Sequence, residues 1–460
     1  MDHRRALIPS RPEPRTALLL LLCLWPGLSL AQTEAEAPSL ESRVDAYLAP
    51  YLETANFSGS VLIARKGEIL LAKGYGLANR EEKMANGPRT AYYLASASRI
   101  FTSAAILLLA QEGRLSIQDP LSKHLPEWPC GDEITIHHLL TLSAGLPNIN
   151  TLRGYGMWSQ SIQTPASLCE KFRDLPLEFE PGAKSVHSNS NYNVLALLIE
   201  KLSGRSYGDF LQEKLFRPLG MERTAHDDDS KRPVAHRAQG YRPVGHAGLR
   251  PDAFLQWSVK TGNGSIYSTV EDLYRFDRML AAKSLLSETS VAQTFTEHFP
   301  SHGYGWFVLN DGDAPRQVTI GGRSPGFGSS WRRAVDADVT VIVLGNLYNG
   351  VPTTISRELL AMAMGRKVTP CPLRADPPDP SVLAAVVGAY QFGADFYRAN
   401  ARLTFYQQDG HLFQRGSWII PAGELTFVHR TYWSTLTFQR DESGKINRLK
   451  YDDFIGTRVE

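Results

Sequence analysis

Cysteine is scarce in this chain of 460 residues, with four in all, Cys23, Cys130, Cys169 and Cys371. None stands with histidine at the spacing of a structural zinc site, so neither a metal nor another cofactor is implied. A surplus of either charge is also missing, because 49 lysines and arginines oppose 47 aspartates and glutamates for a formal charge of +2. The basic residues are scattered, which leaves no concentrated cationic surface for nucleic acid or an anionic membrane. Repeats of solenoid length are absent. The apolar run Ala17 to Trp25 is too short to span a bilayer, so no stable membrane insertion is expected.

That run has another reading. Arg4, Arg5, Arg11 and Arg15 precede it, Pro26-Gly27 break it, and Ser29-Leu30-Ala31 gives a small-residue pattern before Gln32. This is the order of a secretory signal, so residues 1–31 are expected to be removed and the protein exported, to a periplasm or the extracellular space. Cys23 leaves with the signal, since Leu22 before it is not the small residue of a lipoprotein signal. An oxidising compartment then permits one disulfide, with Cys130 and Cys169 as one pairing and three unpaired buried thiols as the alternative.

What is present describes an α+β protein. Phe57 to Ala72 reads as two β-rich runs joined by a Lys66-Gly67 turn. From Phe101 to Glu112, Phe101, Ala104, Ala105, Leu108 and Leu109 recur at helical spacing before Gly113. A second apolar helix runs from about Tyr192 to Leu202, and a third starts at Thr269 with Glu271 and Asp272 in its first turn. Strands return at Val318 to Ile320 and Val339 to Leu344. Hairpin, helical insert and returning strands predict an antiparallel sheet packed with helices. Residues 367–380 are too proline-rich for either element and mark a linker. Beyond them, residues 381–460 show short alternating runs around Asp409-Gly410 and Ser443-Gly444 turns, which predicts a small antiparallel β-barrel or curled sheet.

The candidate chemistry lies in Leu94-Ala95-Ser96-Ala97-Ser98-Arg99-Ile100-Phe101-Thr102. With the helix and the Glu112-Gly113-Arg114-Leu115 stretch that follow, it resembles the nucleophile region of serine beta-lactamases of the class C type and their penicillin-binding, esterase and peptidase relatives. Other matches extend the resemblance across residues 38–366 and imply the beta-lactamase/transpeptidase fold there. Ile134 to Pro147 is similar to the family's helix and loop, with Leu142, Ser143, Ala144 and Gly145 where a His-Thr-Ser-Gly run is usual. His187-Ser188-Asn189, after Pro181-Gly182, fits the Tyr-x-Asn motif. Ile320, Gly321, Gly322, Arg323 and Ser324 fit the third motif, normally Lys-Thr-Gly or His-x-Gly. Lys260-Thr261-Gly262 spells that motif too early in the chain and is read as a coincidence.

In the family a lysine three residues after the serine takes its hydroxyl proton. Here that position is Arg99, which stays protonated at any ordinary pH and cannot accept it. Ile320 offers neither charge nor hydrogen bond where a basic residue is usual. His187, with an ordinary pKa near 6.5, is held neutral by a neighbouring cation and is able to act as a base. The resemblance also implies an oxyanion hole from the backbone N–H groups of Ser96 and Arg323, flanked by Gly321 and Gly322. Ser188 and Asn189 are expected as polar contacts for a substrate amide.

Two readings follow, with a small-molecule or peptide ligand in each. In one the protein is a pseudoenzyme that binds or regulates, and Ser96 is a helix-capping remnant. In the other it is a divergent serine hydrolase of ester or amide type, with Ser96 as nucleophile, His187 as base and Arg99 supporting developing charge. A partner-binding role led by the C-terminal domain, through Trp418, Tyr432 and Trp433, is a third.

Overall fold

Ser39 accepts a hydrogen bond from the amide of Ser42 and so caps helix α1, Leu40–Glu53, which buries Val44, Tyr47, Leu48 and Tyr51 along one face. The structure is a computed structural model and describes residues 38–246, 248–310, 315–369, 372–374 and 376–459. The expected leader, Cys23 and Cys371 lie outside these residues.

The expected hairpin follows as β1, Gly59–Arg65, and β2, Glu68–Tyr75. Its corner holds Lys66 and Gly67 at φ 50° and 83°, the left-handed pair that a tight hairpin turn requires. Helix α2, Arg99–Gln111, stops before Gly113 at φ 71°, and α3, Ser190–Ser203, ends on Gly204 at φ 70°. Helix α4, Val270–Ala282, is capped by Thr269, whose hydroxyl accepts from the Asp272 amide. Strands β3, Phe307–Leu309, β4, Gln317–Ser324, β5, Phe327–Ala334, and β6, Val339–Gly345, then complete an antiparallel sheet in the order β3-β4-β5-β6-β1-β2.

Both faces of this sheet are covered, and alternation along β6 assigns the layers. Ile342 and Leu344 join the core beneath α2, α3 and α4, while Val341 and Val343 pack with α1 and with α5, Val351–Ala363. Strand β5 is buried throughout, including Arg333, whose guanidinium donates to both Asp277 carboxylate oxygens on α4 at 2.8 and 2.6 Å. Its charge is therefore paired rather than stranded in the core.

The proline-rich segment does not remain irregular to its end. Asp379 caps a short helix α6, Pro380–Val386, and Pro380 occupies the first turn, where its missing N–H costs nothing. Eight antiparallel strands, β7 to β14 between Gly388 and Arg458, close a barrel filled by Tyr390, Phe405, Leu412, Phe427, Leu436, Phe438 and Leu449. One barrel wall docks on the sheet domain through Arg430. It is buried and donates to Asn56 Oδ1 at 3.0 Å and to the carbonyls of Gly245 and Ala55, both at 3.2 Å. Trp418 lies buried beneath it and Trp433 packs on Tyr51, so only Tyr432 of the three aromatics singled out in the sequence is widely open to solvent. Cys130 is exposed and Cys169 buried, both as free thiols, which removes the pairing between them.

Candidate active site

Ser96 does not cap the helix. It sits in a 3-10 turn, Ala95–Ser98, ahead of α2, and neither this turn nor α2 has a side-chain cap. Ala95 holds φ at 50°, a left-handed conformation costly for a residue with a Cβ. Its neighbours enforce it: Leu94 N–H donates to the Ile266 carbonyl at 2.9 Å, and the Ser329 hydroxyl donates to the Leu94 carbonyl at 2.7 Å. Ser98, further along, uses its Oγ to accept from the Ile266 amide.

Strand β4 presses against this turn. Strand β3 pairs with β4 only over Gln317–Thr319, so the edge from Ile320 to Ser324 faces the Ser96 turn rather than another strand. The approach requires glycine, because a Cβ on Gly322 would lie 2.3 Å from the Leu94 carbonyl oxygen and 2.6 Å from the Ser96 nitrogen. Ser96, Arg99, His187, Ile320, Gly321, Gly322 and Arg323 line one cavity of about 400 Å³.

Arg99 is 3 % exposed and points from the first turn of α2 toward the following motif. Its Nη2 donates to Asn189 Oδ1 at 2.8 Å and lies 3.4 Å from His187 Nδ1, while the guanidinium covers the Tyr192 ring at 5.2 Å. Burial pushes its pKa down, but from so high an ordinary value that the guanidinium stays charged, and it donates to both neighbouring acceptors. Its Nε is buried without a hydrogen-bond partner.

His187 stands at the cavity rim, open on one side. Burial of its ring, with the charges of Arg99 and Lys260 next in order, pushes its pKa down to about 4, so the ring is neutral at physiological pH. Because arginine only donates, the Arg99 contact uses the Nδ1 lone pair and places the proton on Nε2. In that tautomer the outward nitrogen is a donor. Ser96 Oγ makes no hydrogen bond to His187 or to any other described residue.

Ser188 and Asn189 do not reach the cavity surface. Both are buried behind it; Asn189 spends its side chain on Arg99 and on Asn148 Oδ1, and Ser188 Oγ has no partner. The other wall, from Phe307, Thr319, Ser329, Ser330, Asn349 and Thr353, was not foreseen from the sequence, although the Asn349-Gly350 turn after an apolar strand is a visible signal. Lys260 lies on a 3-10 turn before the Ile266–Ser268 strand, outside β4, as the order of the motifs implies. It is nonetheless buried over the Tyr155 ring at 5.3 Å, and burial together with Arg99 lowers its pKa to about 8. Among the described residues no carboxylate lines the cavity.

Comparison with known proteins agrees with this geometry. The family model described as Beta-lactamase matches residues 44–363. A putative penicillin-binding protein, PbpX, of Bacillus subtilis is 32 % identical over 301 residues, covering 65 % of this chain and 73 % of that one. Penicillin-binding protein 4* of the same organism is 31 % identical over 312 residues, covering 64 % and 69 %. Among solved structures, the octameric penicillin-binding protein homologue from Pyrococcus abyssi superposes with a TM-score of 0.63 at 23 % identity, covering 91 % of this chain and 99 % of that one. The D-amino acid amidase from Ochrobactrum anthropi SV3 gives 0.63 at 20 % identity, covering 71 % and 99 %. These last two likenesses concern the fold alone. The chain therefore belongs to the beta-lactamase family, as a serine beta-lactamase and penicillin-binding-protein-like member with a closed eight-stranded barrel at its C-terminus.

Proposed function

We propose that this protein is an exported pseudoenzyme of its family, which binds a small-molecule or peptide ligand in the Ser96 cleft without forming an acyl-enzyme. The observation that carries this reading is the placement of Arg99, which fills the proton-acceptor position with a permanent cation and is held there by Asn189. Loss of general-base assistance alone costs about 10²- to 10⁴-fold in rate. His187 does not supply the missing base, since its lone pair is turned to Arg99. The walls fit a ligand rich in hydrogen-bond acceptors: the β4 edge, the Nε2–H of His187, and the charges of Arg99 and Arg323, with no carboxylate among the described lining residues to neutralise them. The leader pattern of residues 1–31 supports export, and residues 38–366, 367–380 and 381–460 are read as sheet domain, connection and barrel domain.

The competing reading is a Ser96–His187 hydrolase, and the strained φ of Ala95 together with a neutral His187 favours it. Intact-protein mass spectrometry separates the two. The protein is exposed to an activated fluorophosphonate, a penicillin, a D-amino-acid amide and an activated ester, with Ser96→Ala and His187→Phe beside it. No adduct at Ser96 on the folded protein is expected. An adduct that disappears in both variants establishes the hydrolase.

A further inference from the structure

A second cavity, of about 570 Å³, opens where the barrel mouth meets the tip of β4. Arg323 lines this cavity and the Ser96 cleft alike. Its guanidinium is fixed over the rings of Tyr348 at 5.3 Å and Tyr432 at 5.1 Å and donates to the Thr431 carbonyl at 3.2 Å. Arg398 and Arg415 contribute two more guanidinium groups, and neither makes a hydrogen bond or ion pair with another described residue. Among the described residues no aspartate or glutamate lines the space.

Four aromatic residues, Phe396, Tyr397, Tyr432 and Tyr451, share the rest of the wall with Ala401, Leu403, Gln414 and Ser434. Tyr397 and Tyr432 are 70 % and 56 % exposed, and the Tyr397 hydroxyl is anchored by Asp452 Oδ2 at 3.0 Å, so its ring is held at the rim. Phe396 and Tyr451 pack edge-on at 5.5 Å to form the floor. Below them Phe405 and Phe438 pack edge-on at 5.6 Å in the barrel core. A volume in the range of drug-sized ligands, aromatic walls for stacking and uncompensated arginines together select one chemistry.

We infer that the barrel mouth is a binding site for a compact aromatic organic anion, whose ring lies between Tyr397 and Tyr432 and whose carboxylate or equivalent group meets Arg398 and Arg415. This site shares Arg323 with the Ser96 cleft but does not depend on whether that cleft turns over a ligand.

Titration calorimetry with 1-naphthoate, the neutral 1-naphthalenemethanol and the cationic 1-naphthylmethylammonium tests it on the purified protein. Naphthoate is expected to bind at least about tenfold more tightly than the alcohol, with no saturable binding of the ammonium. An Arg398→Ala, Arg415→Ala double variant, exposed and therefore expected to keep its melting temperature, should lose at least about tenfold in naphthoate affinity. Arg99→Gln, which alters only the cleft, should leave it unchanged. Equal affinity for all three probes, no saturable naphthoate binding, or loss in Arg99→Gln in place of the double variant overturns the inference.

Discussion

Arg99 and Asn189, residues of two separate family motifs, are joined by a 2.8 Å hydrogen bond from Nη2 to Oδ1 inside the protein. The bond removes Asn189 from the cleft surface and locks a cation beneath Ser96. Reversing the substitution should release both. Arg99→Lys combined with His187→Tyr and Ile320→His is expected to raise the acylation rate of Ser96 by a penicillin or activated ester by about 10²-fold or more, read by time-resolved mass spectrometry. Ser96→Ala on that background should abolish the adduct.

The histidines set an acid limit on stability. His137, His187, His226 and His429 are each pushed down to about 4, with burial as the first cause. The unfolded chain, with ordinary imidazoles near 6.5, then binds more protons than the folded one between those two values. Stability is therefore fully present above about pH 6.5 and is lost as pH falls toward 4. Chemical denaturation across pH 8 to 4 should show a flat midpoint that drops below 6.5, and His226→Asn should soften the drop.

The docking of the barrel depends on Arg430, which neutralises no carboxylate among the described residues and instead gathers Asn56 Oδ1 and loop carbonyls. Arg430→Ala leaves these acceptors buried and unmet, at a cost of about 2–4 kcal/mol. Calorimetry should show a lowered transition with increased susceptibility of residues 367–380 to proteolysis. Truncation after Lys367 should destabilise the remainder by exposing Tyr51, on which Trp433 packs.

Gly322→Ala tests the wall of the cleft. Its methyl group collides with the Leu94 carbonyl and the Ser96 nitrogen, so β4 or the Ser96 turn must move. A loss of about 1–3 kcal/mol is expected, together with weaker binding of any cleft ligand. Gly87→Ala, where a Cβ meets nothing within 4 Å, serves as the control.

Much of this was legible in the chain. The hairpin corner at Lys66-Gly67, the stop at Gly113 and the cap at Thr269 are local signals, each fixed by the conformation its residues allow. Ser96, Arg99, His187 and Arg323 were placed in one site by motif order, and the fold does bring them around one cavity. Strand β5 is hidden in the sequence because Arg332-Arg333 breaks its apolar pattern, and it is the carboxylates of the distant Asp277 and of Asp338 that make Arg333 acceptable in a core. Pro380 was read as a breaker when Asp379 makes it a helix start. Ser188 and Asn189 were expected to face a ligand, yet burial depends on how α3 packs, which no local pattern states. The nearness of Lys260 to Arg99 and His187 was likewise invisible in the order of residues.

The most direct measurement is the rate of Ser96 modification by an activated ester in the unaltered protein and in the single variant Arg99→Lys. A rate in the unaltered protein no higher than the Ser96→Ala background, with a measurable Ser96 adduct restored by lysine, is the result predicted for a site silenced at its proton acceptor. Rapid Ser96 acylation in the unaltered protein, lost in His187→Phe, would contradict it.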